Sequence, residues 1–168
     1  MDYDFIIVGA GSAGCVLANR LSADPKNKVL LLEAGPEDKN FWIHVPLGFG
    51  KTLINPNVNW RFESEPETHA AGKNDYLPRG KVLGGSSSIN GMVYMRGQRQ
   101  DYDHWGQLGC RGWAYEDVLP YFRKAESNAR GADEFHGDDG PLQVSDLPDV
   151  TPIVQVFLAA GQEVGLPL

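Results

Sequence analysis

Apolar positions fall into two spacings along the chain. Within residues 3–8 the run Phe5-Ile6-Ile7-Val8 is continuous and stops at a glycine cluster, after which Ala13, Val16, Leu17 and Leu21 recur at helical intervals. A break at Ala23-Asp24-Pro25-Lys26-Asn27 leads to a second apolar run, Val29-Leu30-Leu31-Leu32, of the kind buried on both faces of a parallel sheet. Residues 1–34 are therefore predicted to form one βαβ unit, and the fold class is α/β. From 35 to 78 no periodicity persists, and the stretch holds five of the eleven prolines. Such a length without pattern is unusual inside a domain, and it is expected to be an extended cover over a ligand, with room for a hidden helix. Residues 80–97 are rich in Gly and Ser but carry Val82, Leu83, Ile89, Met92, Val93 and Met95, which predicts packing rather than a flexible linker. Two amphipathic helices are predicted over 117–127 and 152–164. The second has Thr151 to cap it, Pro152 at its first position, and Gly165 with Pro167 to stop it. Between them, residues 140–144 read as a short strand after a turn.

Composition narrows the function classes. The 168 residues are 42% hydrophobic and 22% charged, as in an ordinary globular protein, and they allow one domain with a core. The net charge of -7, with fifteen Lys and Arg that form no run, argues against nucleic acid as a partner. No apolar window is long enough for a membrane span. A strand pattern directly after Met1 leaves no room for a signal peptide, so a cytoplasmic protein is expected. Cys15 and Cys110 suit reduced, buried thiols better than a disulfide or a metal site.

The first chemical signal is Gly9-Ala10-Gly11-Ser12-Ala13-Gly14, a G-x-G-x-x-G between the first strand and the first helix. The first glycine permits the sharp turn, the second lets backbone approach a pyrophosphate, and the third lets the helix pack on the strand. The helix start offers N–H groups and partial positive charge to the anion. Glu33 ends the second strand near the ~20-residue spacing at which an acidic side chain accepts hydrogen bonds from a ribose, and a carboxylate there disfavours a 2′-phosphate. Whether the dinucleotide is NAD or FAD is left open by this motif.

The second signal runs from Pro78 to Val93, Pro-Arg-Gly-Lys-Val-Leu-Gly-Gly-Ser-Ser-Ser-Ile-Asn-Gly-Met-Val. Paired glycines admit a flat ligand, and hydroxyls with Asn90 can bond phosphates and ring heteroatoms without adding charge. Through Tyr94, Gly97 and Asp103 this segment resembles the first signature of the glucose-methanol-choline (GMC) oxidoreductases. The resemblance extends over the whole chain, through Leu31 to Pro36, Asp101 to Trp105, Gly112-Trp113, Val118 to Phe122 and His136 to Leu142, and it is closest to the bacterial choline and alcohol dehydrogenase-like branch.

The resemblance implies a Rossmann-like FAD-binding fold that is incomplete here, with residues 78–110 contacting the flavin. The remaining sheet strands, the substrate domain and the catalytic histidine pair would lie in a missing C-terminal portion. It implies that Gly9, Gly11, Ser12, Ala13 and Gly14 surround the pyrophosphate, that Glu33 with Ala34 holds the adenosine ribose, and that Val82, Gly85, Ser86, Asn90, Gly91, Met92 and Val93 line the rest of the cofactor. Some members tether FAD through a histidine that precedes the asparagine matching Asn90; Ile89 stands there in this chain, so the FAD is expected to be non-covalent. The expected activity is oxidation of a small-molecule alcohol. The alternatives are a GMC-like flavoprotein with other chemistry, such as a hydroxynitrile lyase or photodecarboxylase, or a non-catalytic FAD-binding fragment. No catalytic role is carried over to His44, His69, His104 or His136, and Trp60, Trp105 and Trp113 are read as packing residues.

Overall fold

A computed structural model describes residues 2–166, in which the chain divides into two compact units, Met1–Val93 and Tyr94–Leu168. The division falls inside the segment 78–110.

The first unit opens with β1 (Phe5–Val8), α1 (Ser12–Leu21) and β2 (Val29–Leu32). The strands are parallel, with Phe5 opposite Val29 and Val8 opposite Leu32, as a βαβ crossover requires. Arg20 in the last turn of α1 complements the helix dipole. The break before β2 is held by its own polar residues: Asn27 Nδ2 donates to the carbonyl of Leu21 (2.8 Å), and the Lys28 N–H donates to Asp4 Oδ2 (2.8 Å). The expectation that the second apolar run is buried on both faces does not hold: Val29, Leu30 and Leu31 are half-buried and Leu32 is exposed. In β1, Ile7 is buried, but Ile6 is 61% and Val8 83% exposed. The cause is that this sheet has only two strands among the described residues, and α1 packs against them.

Residues 35–78 contain short elements: α2 (Phe49–Thr52), β3 (Phe62–Glu63) and β4 (Tyr76–Leu77), the two strands antiparallel. The unit's core lies where this cover meets the second glycine segment. Val58, Val82 and Ile89 are buried together, with Ile43 and Leu53 against them. Packing in that segment is thus confined to Val82 and Ile89, while Met92 and Val93 are exposed. Asn59, also buried, ties the cover together: its Nδ2 donates to the carbonyl of Leu53 (2.6 Å) and to Tyr76 Oη (3.3 Å), and its Oδ1 accepts from the N–H groups of Arg61 (2.9 Å) and Arg79 (3.0 Å). All four hydrogen-bonding positions of the amide are used.

The second unit comprises α3 (Arg99–Gln107), α4 (Tyr115–Ala125), β5 (Glu126–Asn128), β6 (Leu142–Val144) and α5 (Pro152–Glu163). The predicted helix over 117–127 starts and ends two residues earlier. Glu126 and Ser127 leave it for β5, parallel to β6, because Glu126 is fully buried and its carboxylate is held by Arg96 and by Asn128 Nδ2 (2.8 Å). Thr151 occupies the N-cap position of α5, yet its side chain makes no capping bond; Pro152 begins the helix as expected, and Gly165 follows it at φ +87. Pro167 lies outside the described residues. The signature residues Gly97 and Asp103 act structurally here. The Gly97 N–H donates to Tyr102 Oη (3.0 Å), and Asp103 Oδ1 accepts from the Tyr115 N–H (3.0 Å), joining α3 to α4. Cys110 is exposed, in the turn that follows α3, rather than buried.

Candidate functional site

The two glycine segments meet in the first unit. Gly9, at φ +93, turns the chain out of β1, a conformation that costs a side-chain-bearing residue strain. Its N–H donates to the Leu32 carbonyl (2.7 Å), extending the sheet into the turn. Gly14 sits where a Cβ would come 1.9 Å from the Gly9 oxygen, so its missing side chain is what allows α1 to rest on β1. Gly11 is different. A Cβ there would meet only the Gly85 Cα, at 3.9 Å, an ordinary contact. Gly85, at φ +58, would bring a Cβ to 2.8 Å from the Gly11 Cα. The second segment is fastened at this point by the Gly84 N–H to the Ala10 carbonyl (2.7 Å), by the Leu83 N–H to the Pro36 carbonyl (2.9 Å), and by the hydroxyls of Ser12 and Ser87.

A cavity of about 610 Å³ opens along this seam, lined by residues that include Gly9, Gly11, Glu33, Ala34, Gly85 and Ser86. Its volume is in the range of small-molecule sites. At one side lies the start of α1, whose first-turn N–H groups no side chain caps; they carry partial positive charge and suit an anion. Glu33 lines the same cavity, half-buried. Its two oxygens accept from the N–H of Ala10 (2.7 Å) and of Gly35 (2.9 Å). Each oxygen keeps a lone pair for a hydroxyl, so the carboxylate can clamp the glycine turn and still receive a ribose. The unfilled space at Gly11, the uncapped helix start and the carboxylate together fit a dinucleotide.

Ser12 and Ala13 stand in the first turn of α1 beside this cavity, exposed. Asn90 and Met92 lie instead on a second cavity of about 310 Å³, with Trp42, His44, Phe49, Ser87 and Ser88. Asn90 Oδ1 accepts from the Met92 N–H (3.0 Å), and Met92 is left-handed at φ +59, a conformation disfavoured for its side chain. Gly91 and Val93 flank it and are exposed, whereas Val82 is buried in the core and lines neither cavity.

Sequence reasoning did not anticipate the aromatic part of the first cavity's wall. Trp60 and Phe62 stack with ring centroids 5.8 Å apart and line the first cavity with Arg79 and Gly80. Trp60 is thus 44% exposed on a cavity wall rather than a packing residue. Arg61 between them is left-handed at φ +53, so no period-2 alternation announces this pair in the sequence. In the second unit, His136 pairs with Asp133 (Nδ1 to Oδ1 2.9 Å) in an exposed turn. That bond and the N–H groups of Phe135 and His136 hold the Asp133 carboxyl down to about 2. Among the described residues no three His, Cys, Asp or Glu side chains are placed to share a metal ion.

The chain is similar to known proteins both in sequence and in fold. The chain is 52% identical over 162 residues to an alcohol dehydrogenase [acceptor] of Pseudomonas putida, covering 96% of this chain and 29% of that protein. It is 49% identical over 167 residues to an oxygen-dependent choline dehydrogenase of Photobacterium profundum, covering 98% of this chain and 29% of that one. The chain therefore spans about three tenths of the length of these relatives. Among solved structures, pyridoxine 4-oxidase from Mesorbium loti superposes with a TM-score of 0.91 at 38% identity, covering 99% of this chain and 33% of that one. An FAD-dependent oxidoreductase from Chaetomium thermophilum superposes with a TM-score of 0.84 at 35% identity, covering 99% and 30%. The family model described as GMC oxidoreductase matches residues 3–168. With motif, fold and relatives in agreement, the chain belongs to the GMC oxidoreductases, and its fold is that of the FAD-binding N-terminal part of this family of oxidoreductases.

Proposed function

We propose that this chain is the cofactor seat of a flavoenzyme that oxidises an alcohol to an aldehyde or ketone. The observation that carries the reading is the junction of the two glycine segments on one cavity, with Glu33 and the uncapped start of α1 on its walls. Alcohol chemistry is supported by the relatives, named for alcohol and choline dehydrogenation. FAD, when bound, supplies the hydride acceptor. The chain's own residues bind and orient it. The backbone of Gly11, Ser12 and Ala13 meets the pyrophosphate, Gly9 and Gly14 shape the turn, and Glu33 with Ala34 receives the adenosine ribose. Val82 anchors the second segment in the core, so that Gly85, Ser86, Asn90, Gly91, Met92 and Val93 face the remainder of the cofactor. None of these groups is a base for the substrate hydroxyl, and the catalytic pair belongs to the remainder of the whole protein.

The test uses the whole protein. It is expected to purify yellow, to bleach when an alcohol is added without an electron acceptor, and to release free FAD on acid precipitation, since Ile89 has no nucleophilic atom for a covalent tether. A colourless protein that takes up NAD would refute the reading. Colour that stays with the precipitate, on a peptide spanning residues 84–95, would refute non-covalent attachment alone.

Glu33→Ala is expected to weaken FAD binding about ten- to hundredfold, the effect of losing a charge-assisted bond. Titration of the apoprotein with FAD measures it; unchanged affinity would place the ribose elsewhere.

A further inference from the structure

We propose that Ser87 is a positioning residue for the pyrophosphate of the cofactor, acting through Ser12; the assignment rests on the FAD reading above. The two hydroxyl oxygens lie 2.5 Å apart although they belong to different glycine segments. Ser12 is the first residue of α1, at the uncapped helix start, and Ser87 sits in the 3-10 turn Gly85–Ser88. The neighbouring serines are committed to their own segment. Ser86 Oγ accepts from the Gly80 N–H (3.1 Å), and Ser88 Oγ donates to the Leu83 carbonyl (2.7 Å). Of the three consecutive hydroxyls, only that of Ser87 bonds to the first segment.

Two hydroxyls in one hydrogen bond hold two protons, and the bond uses one. When Ser87 is the donor, the Ser12 proton remains free to be donated outward. When Ser12 is the donor, its proton is consumed and it offers an incoming anion nothing. A phosphate oxygen at the helix start therefore selects the first arrangement. The donated bond from Ser87 then polarises the Ser12 hydroxyl and strengthens the bond to phosphate. The turn that presents Ser87 is fixed against the first segment by the Gly84 to Ala10 backbone bond (2.7 Å), so the hydroxyl is aligned before the cofactor arrives.

The experiment measures FAD affinity of the whole apoprotein by quenching of flavin fluorescence for Ser87→Ala, Ser87→Thr, Ser12→Ala and the Ser12→Ala/Ser87→Ala pair. Ser87→Ala is expected to lose about three- to tenfold in affinity, the scale of one hydrogen bond. Ser87→Thr keeps the hydroxyl and restores most of it. The decisive readout is non-additivity: with Ser12 already replaced, removing Ser87 costs nothing further. Melting of the apoprotein shifts only slightly in Ser87→Ala, because the bond that joins the two segments there is exposed. Wild-type affinity in Ser87→Ala, or losses that add in the double variant, overturns the assignment while the FAD reading stands. A wild-type apoprotein that takes up no FAD overturns both.

Discussion

Replacing Gly14 by alanine is expected to destroy the fold of the first unit, whereas replacing Gly11, three residues away in the same motif, is expected to leave the fold intact and weaken cofactor binding. At position 14 the new methyl would lie 1.9 Å from the Gly9 oxygen and 3.1 Å from its carbon. Both atoms are backbone in the turn that connects β1 to α1, so the only relief is to lift the helix from the sheet. Overpacking of this severity costs about 3 kcal/mol or more, a large fraction of the stability of a small unit. At position 11 the methyl makes an ordinary contact at 3.9 Å, and φ is -78, which suits alanine. The same methyl would project toward the space assigned to the pyrophosphate, and a loss of at least about tenfold in FAD affinity is expected by the same steric scale. The comparison needs soluble yield and apoprotein melting for both variants, and FAD titration for Gly11→Ala. A Gly11→Ala protein that binds FAD normally would place the pyrophosphate away from the α1 start.

The second large effect is expected at Asn59. Asn59→Ala removes four hydrogen bonds at a position only 2% exposed. At about 1 kcal/mol each, the loss is about 4 kcal/mol. Two of the orphaned partners, the N–H groups of Arg61 and Arg79, lie in the segments that carry Trp60 and Gly80 to the cavity wall. Arg61 is also left-handed at φ +53, held in place by the bond that its N–H donates to Asn59 Oδ1. Denaturant unfolding of the whole protein measures the cost, and a change below about 1 kcal/mol would mean that water replaces the amide without penalty.

These positions also mark what could be read from sequence. The βαβ unit was legible because two apolar runs flank a glycine motif and a helical stripe, three signals with one geometric solution. The helices α4 and α5 followed from their periodicity. The helix α3 did not, because its large apolar residues are Tyr102 and Trp105, too few to form a stripe; its start is set instead by Asp101, whose Oδ2 accepts from the Gln98 N–H (2.8 Å). Strand β5 was hidden for a related reason. Glu126, Ser127 and Asn128 have no strand propensity, and the partner that draws Glu126 inward, Arg96, is remote in sequence. In the site, the motif located Gly9 to Gly14 and Glu33, but not the return of the Ala10 N–H to Glu33 (2.7 Å), because spacing along a strand does not report how a turn folds back over it. Asn59 was invisible altogether, as a single polar residue in an unpatterned stretch has no signature until its four partners are placed.

The stacked pair of Trp60 and Phe62 has an optical consequence. Of the four tryptophans, Trp60 lines the cavity with Glu33 and Trp42 lines the one with Asn90, while Trp105 and Trp113 pack edge to face in the other unit, ring centroids 6.0 Å apart. Flavins absorb where indoles emit. Uptake of the proposed flavin is therefore expected to quench the emission of Trp60 and Trp42 together, because energy transfer to the one absorbing ring reaches across both cavities. With either indole replaced by phenylalanine, the share of the quench that is lost measures how strongly that cavity's tryptophan is coupled to the flavin, with no external label.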